Sequence, residues 1–183
     1  ITDTSLLEEL KLKPHEYAVC TYHPATRLAD KGLAEIKELL TILDQYTFPV
    51  VFTRVNTEMG GVQIEREIKK FVQKNPHKRK YLGNLGSFRY IKLIQNCKFL
   101  LGNSSSGIFE APILGIPSAI FGKRQESRWR PKSVKHINNN EDFKIFFDSL
   151  SEGPRLIPSL DYGTPGVASR VLHTIIEHVE HNV

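Results

Sequence analysis

The chain has 183 residues, 25 Lys and Arg against 20 Asp and Glu, and a formal net charge of +5 at pH 7. That length suits one domain, and 40% hydrophobic with 25% charged residues suits a buried core under an ordinary charged surface, which excludes a disordered tail, a collagen-like fibre and a disulfide scaffold. The modest basic excess directs attention to small anions such as phosphates before nucleic acid.

The start at Ile1 in place of Met reads as the start of a piece, and no basic stretch followed by an apolar one marks a signal peptide. No apolar run approaches the roughly 20 residues that cross a bilayer, so the expectation is a cytoplasmic protein with no membrane contact. Residues 17–22 are rich in strand formers and stop at His23-Pro24, where proline blocks a ladder. Leu33, Ile36, Leu39, Leu40 and Leu43 share one helical face. Residues 49–53 predict a second strand, followed by a helical stripe of Val62, Ile64, Ile68, Phe71 and Val72. The basic cluster Lys74, Lys78, Arg79, Lys80 reads as solvated surface. Phe88, Ile91, Leu93 and Ile94 predict another helix, residues 98–102 and 118–122 a third and fourth strand, and residues 143–147 and 165–181 the closing helices. The proline-bearing stretch 151–164 reads as a crossover segment, and Cys20 and Cys97 as small hydrophobes inside apolar runs.

Near-continuous apolar strands alternating with amphipathic helices predict an α/β domain over residues 1–183, a Rossmann-like parallel sheet with helices on both faces. In such sheets ligands sit beyond the carboxyl ends of the strands. His23, Asn56, the stretch Gly102-Asn103-Ser104-Ser105-Ser106-Gly107 and Lys123-Arg124 all follow predicted strands, so they should share that rim. The serine stretch reads as the opening of a helix whose free N–H groups suit a phosphate, or as an ordinary helix cap. Glu110 suits either the helix dipole or two vicinal ribose hydroxyls. Arg124 offers a guanidinium fork for phosphate oxygens. Between Lys123 and Lys135 lie six basic residues and one acidic residue, an excess that matches the net charge of the whole chain. The histidines of the last helix, His173, His178 and His181, are not spaced as a metal site, and none is assigned.

Four stretches carry a resemblance: Tyr22-His23-Pro24-Ala25-Thr26, Val55-Asn56-Thr57-Glu58-Met59-Gly60-Gly61, Leu101-Gly102-Asn103-Ser104-Ser105-Ser106-Gly107-Ile108-Phe109-Glu110-Ala111-Pro112 and Gly122-Lys123-Arg124-Gln125-Glu126-Ser127-Arg128. With Asp161-Tyr162-Gly163-Thr164-Pro165-Gly166 before the last helix, they resemble the C-terminal half of UDP-N-acetylglucosamine 2-epimerases, above all the hydrolysing branch of sialic-acid synthesis. The resemblance implies one lobe of a two-lobed glycosyltransferase-B-type fold, here the UDP-binding lobe. It implies that Ser104 and Ser105 contact the diphosphate, Glu110 the ribose, the Leu85 main chain the uracil edge, and Arg124 with Arg128 the phosphate charge. Asn56 and His23 would face the diphosphate and sugar, with His23 in a catalytic role. It implies a UDP-sugar and the N-terminal lobe of the same protein as partners, leaves a homo-oligomer open, and calls for no cofactor, metal or nucleic acid. The catalytic carboxylates would lie in the other lobe, so this chain alone is expected to be inactive.

The sequence departs from the family where Val55-Asn56-Thr57-Glu58-Met59 replaces Pro-Asn-Ala-Asp-Ala and where Ser127 stands before Arg128 in place of a common Gly. These changes bring in a diacetylated amino sugar of the bacillosamine type as a competing substrate. A non-hydrolysing epimerase and a glycosyltransferase lobe of the same architecture are alternatives. A non-catalytic anion or RNA binder built on residues 74–80 and 123–132 is another.

Overall fold

The structure, a computed structural model, describes residues 3–150 and 156–180. Six strands, β1 (Ala18–Thr21), β2 (Val50–Phe52), β3 (Arg79–Tyr81), β4 (Phe99–Gly102), β5 (Ser118–Phe121) and β6 (Val134–Ile137), form one parallel sheet in the order β3-β2-β1-β4-β5-β6. Val19 is in register with Val51 on one side and Leu100 on the other, so the three central strands end level. Side chains alternate between two faces. Cys20, Phe52, Phe99, Leu101 and Phe121 point to the layer formed by α2 (Leu33–Asp44), α3 (Gly61–Lys74) and α6 (Asn140–Ser149). Val19, Val51 and Leu100 point to the layer of α1 (Asp3–Leu10), α4 (Gly86–Gln95) and α5 (Glu110–Ile113). Both faces are therefore covered, as apolar central strands require.

The four predicted strands are present, and two more flank them. β3 and β6 carry charged or polar residues, Arg79-Lys80 and Lys135-His136, because they are edge strands with only one neighbour each. Hydrophobic patterning therefore did not mark them. Arg79 is a correction: it is buried at 8% exposure. Its guanidinium stacks 3.7 Å from the Phe71 ring centroid and donates to Asp44 Oδ1 at 2.5 Å and to the Phe71 carbonyl at 3.2 Å. Val62 and Phe88 also depart from their predicted stripes, both standing in solvent. α1 had no counterpart in the sequence reading; its Leu6, Leu7 and Leu10 cap the second core layer.

The last helix, α7 (Val167–Glu180), is amphipathic with Val171, Leu172, Ile175 and Ile176 all exposed. It begins after Pro165, and its predicted last residue, His181, lies outside the described residues, as does part of the 151–164 segment with Pro154. Among the described residues no group of metal-binding side chains gathers, and no helix is long and apolar enough to cross a membrane.

Candidate functional site

The strand order places a topological switch between β1 and β4, which pair with each other while their following segments diverge to opposite sides. Gly102 makes this junction possible: its φ is +121°, and a Cβ there would run into the Thr21 carbonyl. Asn103, fully buried, then ties the two strand ends together. Its Oδ1 accepts the His23 N–H at 2.7 Å, and its Nδ2 donates to the His23 carbonyl at 2.8 Å. Its own carbonyl accepts from Arg124 Nη1 at 3.1 Å and Gln125 Nε2 at 3.0 Å, while Arg124 Nε donates to the Pro24 carbonyl at 3.2 Å.

Glu35 anchors the same knot from α2. Its carboxylate accepts the Tyr22 hydroxyl at 2.9 Å and the Lys123 N–H at 3.0 Å. Gly122, at φ +78°, leaves the space that carboxylate occupies. Burial, reinforced by the Glu35 charge and hydrogen bond, holds the Tyr22 phenol far above its ordinary range, so it stays a donor.

His23 belongs to this knot and also faces a cavity of about 360 Å³ with Thr21, Thr53, Arg54, residues 83–87, Tyr90, Ser104, Ser105, Ser106 and Glu110. A chain of hydroxyls crosses its floor. Thr21 Oγ1 and Thr53 Oγ1 lie 2.8 Å apart, Tyr90 Oη is 3.4 Å from Thr21, and Tyr90 donates to Ser106 Oγ at 2.7 Å. The Ser104 hydroxyl caps the loop by accepting the Ser106 N–H at 3.3 Å. Glu110 Oε2 is buried and has no hydrogen-bond partner in the protein. Such an acceptor is costly unless a ligand supplies the donor.

The expected helix after the serine stretch is a 3-10 turn, Ser105–Gly107, followed by the single turn of α5. Pro112 has no N–H to donate, and Gly115 turns the chain at φ +66°. A four-residue helix has a small dipole, so what this loop offers an anion is its local N–H groups and hydroxyls.

The sequence-selected residues divide between two hollows. His23, Leu85, Ser104, Ser105 and Glu110 line the cavity just described. Arg124 and Arg128 line a neighbouring one of about 470 Å³ with residues 25–28 and 123–127. Arg124 is thus half-buried with two donors already engaged, and Arg128 is exposed, its guanidinium 5.9 Å from the Phe109 ring centroid. Asn56 lines neither, but its main-chain N–H donates to His23 Nδ1 at 3.2 Å. Burial, then the Arg124 charge, lower the His23 pKa to about 4 against the pull of Glu58, so the ring is neutral at pH 7.

A larger hollow of about 610 Å³ lies at the opposite end of the sheet, where Lys98, Pro117 and Ser133 precede β4, β5 and β6. Its size does not make it the site, because ligands of open α/β sheets bind at the carboxyl edge. Tyr90, Thr53, Arg54 and Glu35 escaped the sequence reading. Arg54 alone had a usable signal, since it directly follows a predicted strand; the others reach the rim from helices or by pairing across strands.

The sequence profile described as UDP-N-acetylglucosamine 2-epimerase matches residues 2–174. The chain belongs to that family. Over 127 residues this epimerase-family chain is 39% identical to the GDP/UDP-N,N'-diacetylbacillosamine 2-epimerase (hydrolyzing) of Campylobacter jejuni, covering 69% of this chain and 33% of the relative. Among solved structures, the Methanocaldococcus jannaschii UDP-GlcNAc 2-epimerase in complex with UDP-GlcNAc and UDP aligns at TM-score 0.71 and 16% identity, over 95% of this chain and 49% of that one. The Escherichia coli heptosyltransferase WaaC with ADP-2-deoxy-2-fluoro heptose aligns at TM-score 0.54 and 14% identity, over 74% and 44%. At these identities the structures show the fold: one Rossmann-like lobe of the glycosyltransferase-B type. The chain spans about a third of its curated relative and about half of the solved epimerase.

Proposed function

We propose that this chain is the UDP-binding lobe of a hydrolysing 2-epimerase acting on a UDP-linked 2-acetamido sugar. The observation that carries the reading is Glu110, whose buried Oε2 has no donor in the protein, lining one cavity with Ser104, Ser105, Ser106 and Leu85. A ribose supplies two vicinal hydroxyl donors to such a carboxylate, as acidic residues accept them in other nucleotide folds. Ser104 and Ser105 then receive the diphosphate, the Leu85 main chain meets the uracil edge, and His23 faces the sugar end, held there by the Asn56 N–H. Arg124 and Arg128 contribute positive charge from the adjacent hollow.

In this reading a base on the other lobe removes the C2 proton. The C1–O bond to UDP breaks with its electron pair leaving on the diphosphate oxygen, and a C1=C2 bond forms as a 2-acetamidoglucal. Water then adds across that bond, its hydroxyl going to C1 and a proton to the opposite face of C2, which gives the epimerised free sugar and UDP. Fixed donors around the diphosphate lower the barrier to its departure. The carboxylates that move protons come from the N-terminal lobe of the same protein, so this chain alone is inactive.

With UDP-N-acetylglucosamine as substrate the product is free N-acetylmannosamine. The 39% identical Campylobacter jejuni relative, named for a diacetylbacillosamine substrate, favours the diacetylated sugar as the second reading. Incubating the full-length protein with each UDP-sugar tests both: release of UDP with the free epimerised sugar supports the reading, and the better substrate selects the sugar. Transfer to an acceptor would overturn it in favour of a glycosyltransferase. Calorimetric titration of this chain with UDP and with single-stranded RNA supplies a second test, because salt-sensitive RNA binding without UDP binding would overturn the nucleotide reading.

A further inference from the structure

The contacts around His23 determine which ring nitrogen carries its proton. A main-chain N–H can only donate, and that of Asn56 points at Nδ1 from 3.2 Å; a hydrogen bond there requires Nδ1 to be an unprotonated acceptor. A neutral imidazole with Nδ1 bare carries its proton on Nε2. The ring stays in register with Asn56 because Asn103, fully buried, grips the His23 main chain at both ends, through Oδ1 to the N–H at 2.7 Å and Nδ2 to the carbonyl at 2.8 Å. One donor and one acceptor on His23 set the orientation of the amide, since a flip would oppose two donors and two acceptors.

We propose that Asn103 is a positioning residue that holds His23 as the Nε2–H tautomer, so that a neutral imidazole offers its ligand a hydrogen-bond donor and not a base. The charged groups around the ring are Arg124 from the β5 end and Glu58 from the loop after β2, with Arg54 and Glu110 lining the same cavity. The cation of Arg124 opposes a second proton on the ring, and that proton would also displace the Asn56 hydrogen bond. A donor at Nε2 complements an anionic or carbonyl oxygen of the substrate; the proton at C2 must then be taken by another group. The identity of that substrate rests on the nucleotide-sugar reading above, whereas the tautomer does not.

Long-range 1H–15N correlation spectra of this 183-residue chain labelled with 15N-histidine test the tautomer without any ligand. At pH 7 His23 should show an unprotonated Nδ1 and a protonated Nε2, with no titration until about pH 4. Asn103→Ala should mix the tautomers and move the titration towards the ordinary histidine range of about 6.5. If Asn103→Ala does not fold, Asn103→Asp, which keeps the acceptor for the His23 N–H and loses the donor, should shift the same signals. A protonated Nδ1 in the wild type, or signals that neither variant moves, would overturn the proposal.

In titrations with UDP-N-acetylglucosamine, which carries the sugar that His23 faces, His23→Gln, which retains an N–H in place of Nε2–H, should bind within about threefold of wild type, and His23→Leu should lose about tenfold, one hydrogen bond's worth. Equal losses in the two variants would remove the donor role. A wild-type chain with the stated tautomer and no affinity for UDP would sink the nucleotide reading and leave the positioning role of Asn103 standing.

Discussion

Two polar regions meet at the β1–β4 junction and treat their hydrogen-bonding groups in opposite ways. Around Asn103 most groups are internally paired: its amide with His23, its carbonyl with Arg124 and Gln125, and Glu35 with Tyr22 and the Lys123 N–H. Gln125 Oε1 is a buried exception, on a residue that does not line the cavity of the serine stretch. Around Glu110 a carboxylate oxygen is buried without a donor, and Ser104 and Ser105 line open space. The first region has the pairing of a scaffold, and the second has the open hydrogen-bonding capacity that the proposed nucleotide would complete. Asn103 and Glu110 lie on the same segment after β4, yet residues of the two regions should differ in what their removal does: loss of stability around Asn103, loss of affinity around Glu110.

The largest effect should fall on Glu110. Glu110→Ala should remove the two hydrogen bonds proposed to the ribose, at about 1.5 kcal/mol each, which amounts to a loss on the order of 100-fold in UDP affinity. Oε2 has no donor in the folded chain, so its removal relieves a desolvation cost and the free chain should be as stable as wild type or more stable by about 1 kcal/mol. Calorimetry and urea denaturation read the two quantities separately. A variant that unfolds readily yet binds UDP normally would place Glu110 in the scaffold and erase the distinction.

The same distinction explains what was legible in the sequence. Glu110, Ser104 and Ser105 stood out because small and acidic residues after an apolar strand suit a ligand, and that reasoning needs no knowledge of the interior. Central strands such as β1 and β4 were legible for a similar reason, since burial on both faces leaves unbroken apolar runs. Arg79 and the edge strands β3 and β6 were not, because one-sided pairing permits charged residues whose partners, Asp44 and Phe71, lie on α2 and α3. Arg124 was legible as a cation on the rim. That two of its donors would be held by the Pro24 and Asn103 carbonyls depended on the loops meeting, which chain order does not show.

A second effect should appear as pH dependence in the scaffold. The His23 pKa is about 4 when folded, against 6.5 in the unfolded chain, through burial first and Arg124 second. The unfolded chain therefore takes up a proton between these values that the folded chain refuses. Stability from this group is complete above about pH 6.5, falls as the pH drops through the window, and levels off near pH 4. At about 1.4 kcal/mol per unit the loss is roughly 3 kcal/mol. Urea midpoints at pH 7 and pH 4.5 measure it, and His23→Gln should flatten the difference. Identical pH slopes for the two proteins would mean that the His23 ring is not held neutral by the fold.

The smallest effect probes the boundary between the two regions. Tyr90 lines the cavity, yet its hydroxyl is engaged with Ser106 at 2.7 Å and approaches Thr21 at 3.4 Å. Burial raises its pKa, so it remains a phenol and a donor. Tyr90→Phe leaves the buried Ser106 hydroxyl short of one partner and should cost about 1 kcal/mol of stability. If Tyr90 is floor and not ligand contact, UDP affinity should change by less than about threefold, because the loss of a full hydrogen bond to the ligand would cost about tenfold. A tenfold loss of affinity with unchanged stability would move Tyr90 from the scaffold to the cavity and redraw the boundary through the hydroxyl chain between Thr21 and Ser106.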